Sequence, residues 1–299
     1  MNYELCPHLQ IHFGNLSRKI LSLVVVCILS FNATNAQTND QQRYVGLQLL
    51  NLDPRPEAGM DIIEASINNG CNLVAITIQW DEVYKDNSGM PDWRQYDRQI
   101  EYIAKTDAKI ALRIMVGRLN YRLDGFWTPK ETMKDDLGRP LEGAYSRTCF
   151  SFSHQPTAAK AQNFIKEVCQ RYNSYQNQGK ILYVSFGNLP TQELGYAHET
   201  QFAGSKLYLA GFDYSDSSIE EFRIWAKTHY KTINKLNYTW GTKYTAFQTL
   251  LPPRTAYTPL PAYRQRSGKD WYVFSHSQLK LFVEQTIGTI KQTNSTYKI

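Results

Sequence analysis

The chain has 299 residues, 42% hydrophobic and 20% charged, which is enough to bury a sizeable core and excludes a disordered chain. The net charge of +6 is mild and comes from interspersed residues without a basic run, so nucleic acid is not an expected partner. Five cysteines with no CxxC spacing argue against a disulfide framework and a cysteine zinc cluster.

Residues 1–36 read as an export signal. Arg18 and Lys19 supply positive charge, 20–31 (ILSLVVVCILSF) an apolar run short for a membrane span, and Thr34-Asn35-Ala36 small residues before a cut. An uncleaved anchor is the alternative. Either way, residues 37–299 are expected outside the cytoplasm, secreted or periplasmic, as one domain with no membrane span in the mature chain.

Residues 44–50 (YVGLQLL) make a short apolar run and a first strand, ended by Pro54-Arg55-Pro56. Residues 57–69 read as a helix closed by Gly70. Residues 72–79 (NLVAITIQ) are rich in β-branched residues and read as a strand buried on both faces, and 108–116 (AKIALRIMV) read as a third buried strand. Between them, 93–105 reads as a helix with Tyr96, Ile100 and Ile103 on one stripe. Residues 121–153 are polar and rich in turn formers, and predict a long loop. A helix over 156–172, with Ser153 placed to cap it, leads to a fourth strand at 180–187 (KILYVSFG). Helices follow over 220–230 and 272–292, separated by a loop at 252–266.

Strand–helix alternation predicts a parallel sheet with helical crossovers, either a (β/α)8 barrel or a doubly wound sheet. No GxGxxG follows the first strand, so nothing would hold a pyrophosphate, and the α/β class with a TIM-type barrel is the expected fold.

In such a barrel chemistry sits at the C-terminal ends of strands. The second strand ends in Trp80-Asp81-Glu82, the third in Gly117-Arg118, and the fourth in SFGNLPTQELGY, which carries Asn188, Gln192 and Glu193. Arg113 lies inside the third strand and competes with Arg118 for a place facing the mouth. His154 reads as structural, and His198, close after Glu193, as a better pocket residue. No HExxH, GxSxG or P-loop is present, so neither a metal nor a cofactor is expected. The 20 Tyr and 6 Trp suit the stacking faces of a sugar cleft, or simply fill a large core.

Residues 213–253 (DYSDSSIEEFRIWAKTHYKTINKLNYTWGTKYTAFQTLLPP) resemble family 42 glycoside hydrolases, whose pattern reads FR-x-WL-x-x-KY, then LN-x-x-WGT-x-F, then P. The resemblance implies that this segment directly follows the strand bearing the catalytic acid/base, where the family shows D-N-E-Y-G. Aligned on Gly195, Glu193 takes the acid/base place and Gln192 that of the Asn that binds the sugar 2-hydroxyl. Alternatively Asn188 keeps the Asn place and Leu189 replaces the acid. The segment from Trp80 to Asp97 is similar to the clan A pattern W-x-x-x-E-P … G-x-Y-D-F. It implies Trp80 as a stacking face, Asp81 as a pocket residue, and Asp97 as a residue that helps start a helix. An Arg near the depth of Arg118 would hold the catalytic carboxylates.

In the family the nucleophile Glu lies on a seventh strand, and no second catalytic Glu is evident here. The expectation is therefore the N-terminal part of a barrel, truncated after about four to five strands with 297–299 opening the fifth, and inactive alone. The expected function is retaining hydrolysis of terminal β-linked sugars by two carboxylates, with a carbohydrate as substrate and a homo-oligomer left open. A non-catalytic carbohydrate-binding barrel of the cell envelope is the alternative, and an envelope scaffold the third reading.

Overall fold

The structure, a computed structural model, describes residues 43–49, 59–84, 90–117, 130–138, 149–189, 193–196, 199–203, 206–210, 213–253 and 265–299. The chain divides into two units, 1–43 and 44–299, and every element below lies in the second. The expected export signal falls outside the described residues, as do Arg118, Gln192 and His198.

Four parallel strands, β1 (Gly46–Leu49), β2 (Leu73–Gln79), β3 (Lys109–Met115) and β4 (Ile181–Gly187), form one sheet in the order β1-β2-β3-β4. That order decides between the two expected folds. Crossovers of one hand between sequential neighbours place all helices on one face, whereas a doubly wound sheet reverses its order to cover both. The last residues extend the series. Tyr297 is fully buried, and the Val184 N–H donates to the Lys298 carbonyl at 2.7 Å along the outer edge of β4, where the fifth strand is expected.

Register separates the two faces of the sheet. Val74 pairs with Ile110 and Ile76 with Leu112; these residues join the core with α3 (Arg94–Ala104) and α4 (Gln155–Arg171). Alternation turns the other row, Ala75–Ala111–Tyr183 and Thr77–Arg113–Ser185, to the opposite face, the barrel lumen. Arg113 is thus the lumen-facing arginine of the third strand.

The helices begin where local chemistry allows. α1 (Met60–Asn68) starts after Gly59, whose φ of 78° suits glycine, and α4 starts at Gln155 with Pro156 in its first turn. Ser153 does not cap α4. His154 holds the cap position, and the Ser153 hydroxyl instead donates to Ser218 Oγ at 3.4 Å. Asp97, in the first turn of α3, serves a helix–helix clamp: it accepts Arg171 Nε at 2.8 Å and the Tyr172 hydroxyl at 3.0 Å from the end of α4. Short helices follow β2 (α2, Trp80–Val83) and α4 (α5, Asn173–Asn177). An antiparallel hairpin, β5 (Glu199–Ala203) and β6 (Lys206–Ala210), forms a separate sheet that the alternation pattern did not anticipate.

α6 (Asp216–Tyr230) starts four residues earlier than expected because Ser215 caps it, accepting the Ser218 N–H at 3.2 Å. α7 (Ile233–Trp240) is capped by Thr232 and closed by Gly241 at φ 69°. α8 (Arg266–Thr293) runs 28 residues and packs on α4, α6 and α7. Among the described residues no helix is long and apolar enough to cross a membrane.

Candidate active site

The strand ends converge on Asn188. This residue follows β4 directly, is fully buried, and is held on every side. Its carbonyl lies against Gly117 at the end of β3, where a β-carbon would stand 1.9 Å away, so only glycine fits there. The Cys149 thiol donates to that same carbonyl at 3.2 Å. Its side-chain amide behaves as a surrogate peptide group: Nδ2 donates to the Gly195 carbonyl and Oδ1 accepts the Gly195 N–H, both at 2.9 Å.

Glu193 lies on the loop that this amide closes. Its carbonyl accepts the N–H groups of both Asn188 and Leu189 at 3.0 Å, and the residue is exposed. An exposed carboxyl residue is thus carried just past the C-terminal end of β4 by a pinned backbone. Tyr196 anchors the far end of the loop: its ring packs edge-on against Phe152 at 5.3 Å, and its hydroxyl donates to the Ser275 carbonyl at 2.6 Å.

The other expected residues divide. Asp81 is fully buried in the turn of helix after β2. Trp80 is not an open stacking face: its ring stacks on Phe164 of α4 at 5.6 Å and 9°, within the core between sheet and helices. Asn188 offers no open amide to a sugar hydroxyl, because the residue is fully buried with its side chain paired to Gly195. His154 is structural, its Nδ1 paired with the Thr157 hydroxyl at 2.8 Å.

Asp213, which does not occupy a nucleophile's expected place in the sequence, is a buried carboxyl near Tyr196. Asp213 Oδ1 accepts the N–H groups of Ser215 at 2.9 Å and Lys134 at 3.1 Å, and Oδ2 accepts the Ser215 hydroxyl at 3.1 Å. Ser215 Oγ also meets Ser151 Oγ at 3.0 Å, fastening the start of α6 to the loop that carries Cys149. Burial pushes the Asp213 carboxyl above its ordinary range, against the opposing pull of these donors. Burial first, and the nearby Asp213 second, raise the Tyr196 phenol. Among the described residues no group of three or more His, Cys, Asp or Glu could hold a metal.

Residues 206–299 match the β-galactosidase model of glycoside hydrolase family 42. Over those residues the chain resembles family 42. The β-galactosidase BbgII of Bifidobacterium bifidum is 44% identical over 48 residues, which cover 14% of this chain and 7% of that protein. The β-galactosidase of the psychrophilic Marinomonas ef1 superposes with a TM-score of 0.63 at 15% identity, over 85% of this chain and 36% of its own. The E323A catalytic mutant of Gan42B, a family 42 β-galactosidase from G. stearothermophilus, gives 0.60 at 17%, over 81% and 32%. The β-amylase catalytic domain of Paenibacillus polymyxa gives 0.63 at 16%, over 84% and 63%. The chain therefore has the fold of these barrel glycoside hydrolases and spans about a third of the length of these β-galactosidases.

In the family 42-like segment the recognisable residues do structural tasks. Leu236 is fully buried, and Asn237 accepts the Thr242 hydroxyl and the Tyr244 N–H at 2.9 Å each. Trp240 Nε1 donates at 2.8 Å to the buried Asp270 on α8, which also takes the Tyr230 hydroxyl. Glu193 lies upstream of the matched residues.

Proposed function

We propose that the protein is an exported glycoside hydrolase that removes terminal β-linked sugars, β-galactosides first, with retention of configuration. The observation that carries this is Glu193, an exposed carboxyl residue on a pinned loop past the C-terminal end of β4, directly upstream of the family 42-like segment. Glu193 would protonate the leaving oxygen and then deprotonate the water that releases the sugar. With the Asn188 amide engaged by Gly195, Gln192 is the side chain left for the 2-hydroxyl. Arg113 in the lumen, or Arg118, would keep the catalytic carboxylates ionised. The second carboxyl, about 5–5.5 Å from the first in a retaining site, is not assigned among the described residues.

The test is proton NMR of the first-formed product from an aryl β-galactoside and the full-length protein. The β-anomer of galactose appearing first supports the reading. The α-anomer first excludes retention, and galactose binding without turnover favours a non-catalytic sugar-binding barrel. Export is tested by the N-terminus of the released protein, expected near Gln37. A released form that retains Met1 contradicts it.

A further inference from the structure

We propose that Asn188 is the positioning residue for Glu193: its side-chain amide sets the register of the acid/base loop rather than touching the sugar. The inference rests on Glu193 being the acid/base and assigns how that residue is held.

Three observations carry it. First, the Asn188 amide pairs with the Gly195 backbone through both polar atoms, at 2.9 Å each, in the manner of one strand residue pairing with another. No other residue type offers a donor and an acceptor in that flat arrangement at that reach; Asp has the shape without the donor, and Gln adds a methylene. Second, the backbone of Asn188 is itself immobilised. Its carbonyl is wedged against Gly117 and takes the Cys149 thiol, and Val116 N–H donates to the neighbouring Gly187 carbonyl at 2.8 Å. The clasp is thus built on the rigid ends of β3 and β4. Third, the grip transmits to Glu193. The Asn188 and Leu189 N–H groups converge on the Glu193 carbonyl, and Gly195 lies two residues beyond it. The backbone of Glu193 is therefore held from both sides, while the residue itself is exposed.

Removing the amide leaves the Gly195 peptide without its partners and lets Glu193 shift relative to the glycosidic oxygen. A displacement of about 1 Å at a reacting group costs on the order of 100-fold. Asn188→Ala in the full-length protein should therefore lower kcat by roughly that factor, with KM changed little. The loss should be greatest for substrates with poor leaving groups, which depend most on the acid.

The decisive measurement is the double-mutant cycle with Glu193→Gln. If Asn188 acts through Glu193, Asn188→Ala costs almost nothing further once Glu193 is Gln. If Asn188 binds sugar, its loss appears in KM and persists in the Glu193→Gln background; full additivity overturns the proposal. Asn188→Leu, which keeps the shape and removes both the donor and the acceptor, serves if the Ala variant does not fold. It should show the same non-additivity and faster exchange of the Gly195 amide proton, and unchanged exchange contradicts the clasp. Failure of the acid/base reading itself looks different, as Glu193→Gln alone would then leave turnover of poor-leaving-group substrates intact.

Discussion

Gly117 and Asn188 meet backbone to backbone, so that a β-carbon on residue 117 would stand 1.9 Å from the Asn188 carbonyl oxygen. The nearest atom is main chain at the end of β4, and it cannot swing aside as a side-chain tip would. Gly117→Ala must push the ends of β3 and β4 apart. It should destabilise the protein by about 3 kcal/mol, and galactoside turnover should fall in the fraction that still folds. Denaturant unfolding of the two proteins checks this; a midpoint within error of wild type contradicts the close approach.

Asp213 gives stability a pH dependence of unusual sign. Its folded-state carboxyl lies above the ordinary carboxylate range because it is buried. A raised folded value means the native state holds the proton more tightly than the unfolded chain. This contribution is therefore present below the unfolded value, near 3.8, and is lost as pH rises through the folded one. Asp213→Asn keeps an oxygen for the Lys134 and Ser215 N–H groups and removes the charge. The variant should melt higher than wild type at pH 8, with the difference vanishing near pH 4. A lower melting point at pH 8 would show that the donors outweigh burial.

Trp240 tests the family 42-like segment as a structural device. Its indole N–H donates at 2.8 Å to Asp270, a buried carboxyl that also pairs with Arg266 Nε at 3.1 Å. Trp240→Phe keeps a six-membered ring near Phe222 and removes the donor together with part of the indole. Loss of a hydrogen bond to a charged group predicts about 1.5–3 kcal/mol. Thermal and denaturant unfolding read this directly, and galactose affinity should stay unchanged. A large affinity loss without a stability loss would place Trp240 in the sugar site instead.

What the sequence discloses follows the range of the interactions involved. β2, β3 and β4 are legible because each run supplies a buried apolar row to the core, Val74 and Ile76, Ile110 and Leu112, Ile181 and Val184, within stretches rich in β-branched residues. The LNYTWGT turn is legible because its closing contacts are local: the Asn237 side chain reaches Thr242 and Tyr244, and Gly241 supplies the left-handed turn. The hairpin β5–β6 had only a weak signal, the pair Gly204-Ser205 between two short runs with apolar residues. The site is less legible because its logic is long-range. Trp80 reads as a pocket aromatic by position, yet Phe164, far along the chain, claims its ring for the core. Asn188 reads as a sugar ligand until its pairing with Gly195 is seen, and the tie from Asp213 through Ser215 to Ser151 spans separate loops that no spacing rule connects.

The assignment of Glu193 as acid/base is tested most directly by Glu193→Gln in the full-length protein, on aryl β-galactosides of graded leaving-group acidity. Gln keeps the shape and cannot donate the proton. General acid catalysis contributes roughly 10²–10⁴-fold. The variant should lose that much in kcat/KM on substrates with poor leaving groups and little in kcat/KM on those whose leaving group needs no proton, whose kcat falls instead because the water that releases the sugar is no longer deprotonated, and its affinity for galactose should survive. Near-normal turnover of the poor-leaving-group substrates would contradict the assignment.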